Sequence, residues 1–145
     1  MIGFLGCDIG TTGTKTMLFN EQNDAVGRGY KAYDLFTPFE NAYEQNPEDW
    51  YLSLKQSIKD AVKESELEVK ALSVSAQGGS FFLADIDENG KVIPLCPALT
   101  WMDARSGEEF EEVKQVLSVD EVYKTTGWRL SRGSAICRIL WLKKH

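Results

Sequence analysis

The stretch that decides the fold is GCDIGTTGTK, residues 6–15. The residues before it are largely apolar, so residues 2–9 are predicted to form a buried strand that carries one carboxylate, Asp8, near its end. Glycines, threonines and a lysine then follow within residues 10–15. Such a turn offers a polyphosphate closely approaching backbone N–H groups, hydroxyl donors and one positive charge. A Gly/Thr-rich hairpin turn without any ligand would show the same pattern.

Two common nucleotide-binding motifs are absent from this stretch. It contains no GxxxxGK[ST], which excludes a P-loop of the Walker type. It also lacks GxGxxG, and a second strand follows it where a Rossmann motif requires a helix. A phosphate site here would therefore lie in a turn between antiparallel strands, with Asp8 close enough to hold Mg²⁺ directly or through water.

Two further strands and a helix are predicted to follow this turn in the sequence. Residues 14–19 and 25–33 are expected to form the second and third strands of an antiparallel meander, because only short turns join them. A helix is predicted to begin at Asn46-Pro47. Its apolar positions at helical spacing are Trp50, Leu54, Ile58, Ala61 and Val62, which indicates packing against the sheet.

The second half of the sequence alternates strands and helices. A strand is predicted at 69–77 and a hairpin at 80–87 and 91–95, around Asn89-Gly90. A helix carrying Phe110 follows, and its acidic run EEFEE (108–112) is expected to be a solvated face. A capping box, Ser118 with Glu121, predicts a short helix, and the final helix is expected to be amphipathic and to carry Ile136, Ile139, Leu140 and Trp141.

Composition limits the class of protein. The 145 residues suit about one domain, and the net charge of −6 argues against a nucleic-acid partner. No window resembles a membrane span or a signal peptide. Cys7, Cys96 and Cys137 lack the spacing of a disulfide framework or a zinc site, which favours a reducing cytoplasm. The chain ends within an apolar helix, ILWLKKH (139–145), so we expect it to be the front part of a larger protein.

Four segments, in order, resemble the FGGY carbohydrate kinases, which belong to the actin/hexokinase/Hsp70 ATPase superfamily. They are GCDIGTTGTKTMLFNEQNDAVGRG (6–29), EQNPEDWYLSLKQSI (44–58) with its E-x-x-P-x-x-W pattern, the block 69–105 ending in WMDAR, and VYKTTGWRLSRGSAICRILWLKKH (122–145). Xylulokinase-like members are the nearest match among subfamilies. The resemblance implies an α/β, ribonuclease-H-like fold whose mixed sheet opens with the meander and is flanked by helices. It also implies transfer of the γ-phosphate of MgATP to a sugar or polyol hydroxyl, with D-xylulose or a related ketopentose as the leading substrate.

The resemblance assigns roles to the residues of the turn. Asp8 would serve the magnesium ion and the transferring phosphoryl group, as the catalytic and metal-binding residue. The nucleotide phosphates would be contacted by Gly10, Thr11, Thr12, Gly13, Thr14 and Lys15. A solvated strand residue explains Lys15 equally well.

The sugar site implied by the resemblance lies further along the chain, at Gln77, Gly78, Gly79, Trp101, Asp103 and Arg105. Asp103 and Arg105 would hydrogen-bond adjacent hydroxyls, and Trp101 would cover an apolar sugar face. The alternative is a structural ion pair beside a core tryptophan. Xylulokinases commonly carry Met-His after the glutamine and glycerol kinases carry Arg-Glu, so Gly78-Gly79 departs from both and leaves the sugar open.

The resemblance places the catalytic base beyond residue 145, together with the C-terminal domain. His145 is the only histidine and stands at the last position, where it is a poor base. We therefore expect residues 1–145 to be an incomplete N-terminal domain with the sugar site and first phosphate loop, inactive without its C-terminal domain. Two other functions stay open: an ATPase of the actin/Hsp70 type that is not a sugar kinase, and a stand-alone nucleotide- or ligand-binding module. A homodimer is also left open.

Overall fold

The computed structural model describes all residues of the chain, 1–145. Its elements in chain order are β1 (Ile2–Ile9), β2 (Gly13–Asn20), β3 (Ala25–Ala32), β4 (Glu44–Gln45), α1 (Pro47–Val62), β5 (Glu68–Ala76), β6 (Ala84–Ile86), β7 (Val92–Pro94), β8 (Ala98–Leu99), α2 (Gly107–Val116), α3 (Val119–Thr126) and α4 (Ala135–Lys144). None of the four helices combines the length and hydrophobicity needed to cross a membrane.

The chain divides into two units. The first comprises Met1–Leu35, Gln45–Gly78 and Phe82–Ala98, and the second comprises Phe36–Glu44, Gly79–Phe81 and Leu99–His145. Each unit has its own buried cluster of apolar side chains.

The first unit is built on the predicted meander. β1 pairs antiparallel with β2, β2 pairs antiparallel with β3, and β5 pairs parallel with β1. The resulting sheet has the order β3-β2-β1-β5, so the expected mixed sheet is confirmed. β6 and β7 form the predicted hairpin, although residues 80–83 of its expected first strand are not part of the strand.

Helix α1 covers one face of this sheet. Its start is as predicted: the Asn46 side chain accepts a hydrogen bond from the Glu48 N–H, and Pro47 occupies the first turn. Its apolar residues Leu54, Ile58 and Val62 pack only partly buried against a cluster formed by Leu5, Cys7, Leu18 and Ala61. The buried residues of the helix also include Ser53 and Ser57, which the spacing of its apolar residues does not predict.

Glycines on β3 let α1 come close to the sheet. A Cβ atom added at Gly29 would lie 1.9 Å from the Ser57 carbonyl oxygen, and one added at Gly27 would lie 2.0 Å from that of Ala61. No side chain can occupy these positions unless the helix moves. Gly27 and Gly29 are therefore required by helix packing.

The second unit contains α2, α3 and α4. Its cluster consists of Val113, Leu130 and Cys137, with partly buried neighbours that include Phe110, Leu117 and Leu140. The Ser118 side chain caps α3 by accepting from the Glu121 N–H, as predicted.

One expectation about these helices is wrong. Glu109 is not on a solvated face: it is buried, and it pairs with Lys144 at 3.3 Å, so its charge is compensated. In α4, Ile136 and Ile139 are about half exposed, while the buried side chains are Cys137 and Arg138. The buried Arg138 guanidinium donates to three backbone carbonyls inside the unit.

Candidate functional site

The glycine-threonine turn joins β1 to β2 at the edge of the first unit. It is closed by a hydrogen bond from the Gly10 N–H to the Gly13 carbonyl oxygen, 3.1 Å. A Cβ atom at Gly13 would lie 2.6 Å from the Lys31 carbonyl oxygen, so only glycine fits where β3 approaches. The turn thus has a defined backbone shape before any ligand is considered.

Side chains from elsewhere in the unit hold the carbonyl oxygens of the turn. Gln45 Nε2 donates to the Thr11 carbonyl oxygen at 2.7 Å. The Tyr30 hydroxyl donates to that of Thr12 at 3.2 Å, and the Tyr33 hydroxyl donates to that of Gly10. Carbonyl oxygens repel an anion, and here protein donors engage them. This arrangement suits a turn that presents its N–H groups to phosphate.

Asp8 is exposed at the carboxyl end of β1, where its register partner on β2 is Lys15, also exposed. The pair places one carboxylate and one ammonium group beside the turn. Thr14 differs from the other predicted phosphate contacts: it is fully buried, and its hydroxyl hydrogen-bonds Ser53 of α1 at 2.7 Å. Its side chain is therefore engaged under the helix, and a contact of Thr14 with phosphate stays a prediction.

Tyr33 is a residue of this site that the sequence did not reveal. Its phenol is partly buried, and burial raises its pKa, with the nearby Asp8 charge acting in the same direction. The phenol therefore stays protonated and continues to donate to the turn at neutral and mildly alkaline pH. It directly follows β3, and the sequence there carries no motif from which this role could have been inferred.

Gln77 follows β5 directly, in the same unit as the turn. Its N–H donates to the Ile9 carbonyl oxygen at 2.8 Å, which extends the β1–β5 pairing to the end of β1. Its side-chain Nε2 donates to Gln45 Oε1, also at 2.8 Å. Gly78 comes next, and a Cβ atom added there would meet nothing within 4 Å, so the space next to it is open.

Gly79, Trp101, Asp103 and Arg105 belong to the second unit. Trp101 is 52% exposed, and its backbone N–H donates to Ser80 Oγ at 2.9 Å. Gly79 has a φ of +76°, and a Cβ atom added there would lie 3.6 Å from that of Trp101. The indole is therefore a half-exposed surface, and it is not a core tryptophan.

Asp103 and Arg105 form a buried ion-pair network. The Asp103 carboxylate is fully buried and accepts from the Tyr43 N–H at 2.8 Å and from Arg105 Nε at 2.9 and 3.1 Å. Arg105 Nη2 also pairs with Glu44 at 2.7 Å. Burial by itself would lower the pKa of Arg105, but hydrogen bonds to Asp103 and Glu44 outweigh it and raise the pKa, so the guanidinium stays charged.

Aromatic rings complete the surroundings of Arg105. The guanidinium carbon lies 5.0 Å from the Phe39 ring centre and 4.8 Å from that of Trp141. The tryptophan beside the ion pair is therefore Trp141. In this structure the polar groups of Asp103 and Arg105 are engaged by protein partners, and their contact with a sugar stays a prediction.

Comparison with known proteins identifies relatives of the whole chain. The N-terminal domain of the FGGY family of carbohydrate kinases matches residues 3–145. The gluconokinase of Bacillus subtilis (strain 168) is 36% identical over 138 residues, which are 95% of this chain and 26% of that protein. The xylulose kinase of Staphylococcus xylosus is 30% identical over 142 residues, which are 97% of this chain and 29% of that protein.

A solved structure agrees with these sequence matches. The ligand-bound xylulose kinase from Lactobacillus acidophilus superposes with a TM-score of 0.84 at 25% identity, covering 99% of this chain and 28% of that one. The predicted α/β, actin/hexokinase-like fold is thereby confirmed. The chain spans between a quarter and a third of the length of the curated relatives, 26% and 29% in the two cases given above.

Proposed function

Because the chain belongs to the FGGY family of carbohydrate kinases, we propose that it is the N-terminal part of an enzyme that transfers the γ-phosphoryl group of MgATP to a hydroxyl of a sugar or polyol. The proposal rests mainly on the turn at residues 10–13. Its carbonyl oxygens accept hydrogen bonds from protein donors, and the exposed Asp8 carboxylate lies beside it. The C-terminal domain of the same protein would supply the rest of the active site.

In this proposal the turn binds phosphate groups and Asp8 holds the metal. Phosphoryl transfer depends mainly on positioning the groups and on stabilising their charge. A backbone turn with one metal ion is therefore sufficient to bind and neutralise the phosphate groups. One carboxylate fits Mg²⁺, because magnesium usually binds through one or two carboxylates and completes its shell with water and substrate phosphates. When bound, the ion would neutralise phosphate charge. Lys15 would add a second positive charge near the same groups.

On the sugar side, the proposal names candidate residues in each unit separately. In the first unit, Gln77 contributes an amide and the space next to Gly78 is open. In the second, the half-exposed indole of Trp101 offers an apolar surface beside Gly79. Asp103 and Arg105 reach hydroxyls only by exchanging a present partner. Their first contribution is to hold the segment that carries Trp101.

Two substrates deserve priority. D-xylulose or a related ketopentose is the first, since xylulose kinases match nearly the whole chain in sequence and structure. Gluconate is the second, because the relative at 36% identity is a gluconokinase. The three cysteines are all free, which agrees with our placing the enzyme in the reducing cytoplasm.

The test is a coupled assay of ADP release by the full-length protein that carries this chain, with ketopentoses, polyols and sugar acids as acceptors. We expect release that depends on one class of acceptor and on added Mg²⁺. Asp8→Asn should lower kcat by about 100-fold or more, because it removes a charge used in the transition state. The exposed Asp120 on α3 gives the control: Asp120→Asn should match wild type.

Three results would count against the proposal. Steady ATP hydrolysis without any acceptor dependence would favour an ATPase of the actin/Hsp70 type. Nucleotide binding with no turnover would favour a binding module. Wild-type turnover in Asp8→Asn would remove Asp8 from the mechanism.

A further inference from the structure

Gln45 is a buried side chain whose amide is fully used. It is 1% exposed, and it lies in the first unit between the turn, helix α1 and the end of β5. Its Nε2 donates to the Thr11 carbonyl oxygen at 2.7 Å. Its Oε1 accepts from Trp50 Nε1 at 3.0 Å and from Gln77 Nε2 at 2.8 Å.

The orientation of this amide is fixed by its partners. A backbone carbonyl can only accept and an indole N–H can only donate, so the Gln45 nitrogen must face Thr11 and its oxygen must face Trp50. Among the uncharged side chains of this length, only glutamine provides a donor and an acceptor in that arrangement.

The orientation of Gln77 follows from that of Gln45. Because Gln45 presents an oxygen, Gln77 must turn its NH₂ group toward it, and its own Oε1 is directed away. That Oε1 atom is buried and has no hydrogen-bond partner in the chain. An unpartnered buried acceptor is costly to stability, and a hydroxyl hydrogen from a ligand would satisfy it.

We propose that Gln45 is a positioning residue that ties the phosphate turn to the end of β5 and makes Gln77 an acceptor for a substrate hydroxyl. The ligand's identity rests on the proposed function, but the positioning itself does not. Gln45 touches neither ligand in this proposal. It acts through the Thr11 carbonyl on one side and through the Gln77 amide on the other.

Two substitutions at Gln45 separate these contacts. Gln45→Glu keeps an oxygen toward Trp50 and Gln77 but loses the donor to Thr11, so we expect the KM for ATP to rise about 10-fold with the sugar KM within 2-fold of wild type. Gln45→Met removes donor and acceptor together and should raise both KM values. The exposed Gln56 on α1 gives the matched control, since Gln56→Glu should change neither KM.

The pH profile distinguishes positioning from general loss of structure. A carboxyl group placed against a carbonyl and buried has a raised pKa, and once protonated it can again donate to Thr11. The ATP KM of Gln45→Glu should therefore fall toward the wild-type value as the pH is lowered from 8 to 6. The KM of Gln45→Met should show no such recovery.

Amide hydrogen exchange tests the positioning without any turnover. In the full-length protein, Gln45→Glu should speed exchange in residues 10–13 by about 10-fold relative to wild type, and Gln56→Glu should leave it unchanged. If wild type shows no sugar-dependent ADP release, the proposed function fails while this comparison still decides the role of Gln45. Unchanged exchange in Gln45→Glu, or an equal rise of both KM values in that variant, would overturn the inference.

Discussion

Arg138 shows how one residue can hold a segment of the candidate site in place. Its guanidinium is buried and donates to the carbonyl oxygens of Thr100 at 2.6 Å and Gly79 at 2.7 Å, with a longer contact to Leu99 at 3.5 Å. The Phe81 ring lies 4.9 Å from its carbon. Burial lowers the pKa of Arg138, but an arginine begins so high that it remains charged. It therefore holds the backbone at Gly79 and immediately before Trp101.

Replacing Arg138 by methionine should destabilise the protein by about 2–4 kcal/mol, because buried carbonyls lose charge-assisted hydrogen bonds. Arg138→Lys keeps the charge but lacks the planar fork, so an intermediate loss is expected. Urea unfolding followed by circular dichroism measures both. The exposed Arg28→Met serves as the control and should leave the midpoint unchanged. A wild-type midpoint for Arg138→Met would show that these carbonyls need no cationic partner.

At the residue scale, the sequence indicates which side chains are functional candidates but not which residues they contact. Asp103 and Arg105 were identified from the W-x-D-x-R pattern, which is local in the sequence. Their other partners, Glu44 and the Tyr43 N–H, lie about sixty residues earlier in the chain. The burial of Thr14 against Ser53 also depends on residues far apart in the sequence. The alternation of side chains along a strand does not show which of its faces a later helix will cover.

At the scale of elements, the contact between α1 and β3 depends on the absence of side chains. Gly29→Ala should lower the free energy of unfolding by about 2–3 kcal/mol, because the new methyl group would meet the Ser57 carbonyl and the helix would have to shift. Gly6→Ala on β1 is the matched control, since its nearest neighbour would be the Phe19 ring at 3.9 Å. Thermal and urea unfolding of the two variants provide the comparison. Equal midpoints would mean that α1 adjusts at no cost.

The positions of the elements were predictable because their signals are local. Asn46-Pro47 and the Ser118 cap start helices through contacts within three residues, and short turns force consecutive strands into a meander. The buried face of α1 was harder to predict. Ser53 and Ser57 lie on it because they hydrogen-bond Thr14 and Thr16 of β2, at 2.7 and 2.8 Å. Polar pairs of this kind add nothing to the apolar period from which a buried face is predicted.

At the scale of the whole molecule, the division into two units was not predictable from the sequence. The second unit takes Phe36–Glu44 and Gly79–Phe81 from within the chain and joins them to Leu99–His145. Composition does not change at any of these borders, and no linker marks them. Such a unit is defined only by contacts between residues far apart in the sequence, and the spacing of apolar residues does not predict those contacts.

The isolated 145-residue chain is expected to be inactive as a kinase. The chain spans 26% of the length of its gluconokinase relative, and three of the side chains that could act as a general base are already engaged within it. Asp103 and Glu109 are buried and paired with cations, and the His145 ring is stacked on that of Trp141 at 4.5 Å. A base must come within hydrogen-bond reach of the proton that it removes.

We therefore expect the isolated chain to release no ADP in response to any acceptor that activates the full-length protein. The measurement is the same coupled assay, run at equal molar concentration on both proteins, with circular dichroism to show that the isolated chain is folded. Adding the separately produced remainder of the protein should restore activity if the two parts associate. Sugar-dependent release by the folded chain alone would mean that a base lies within these residues after all, and Asp8, as the exposed carboxylate beside the turn, would then be the first residue to test.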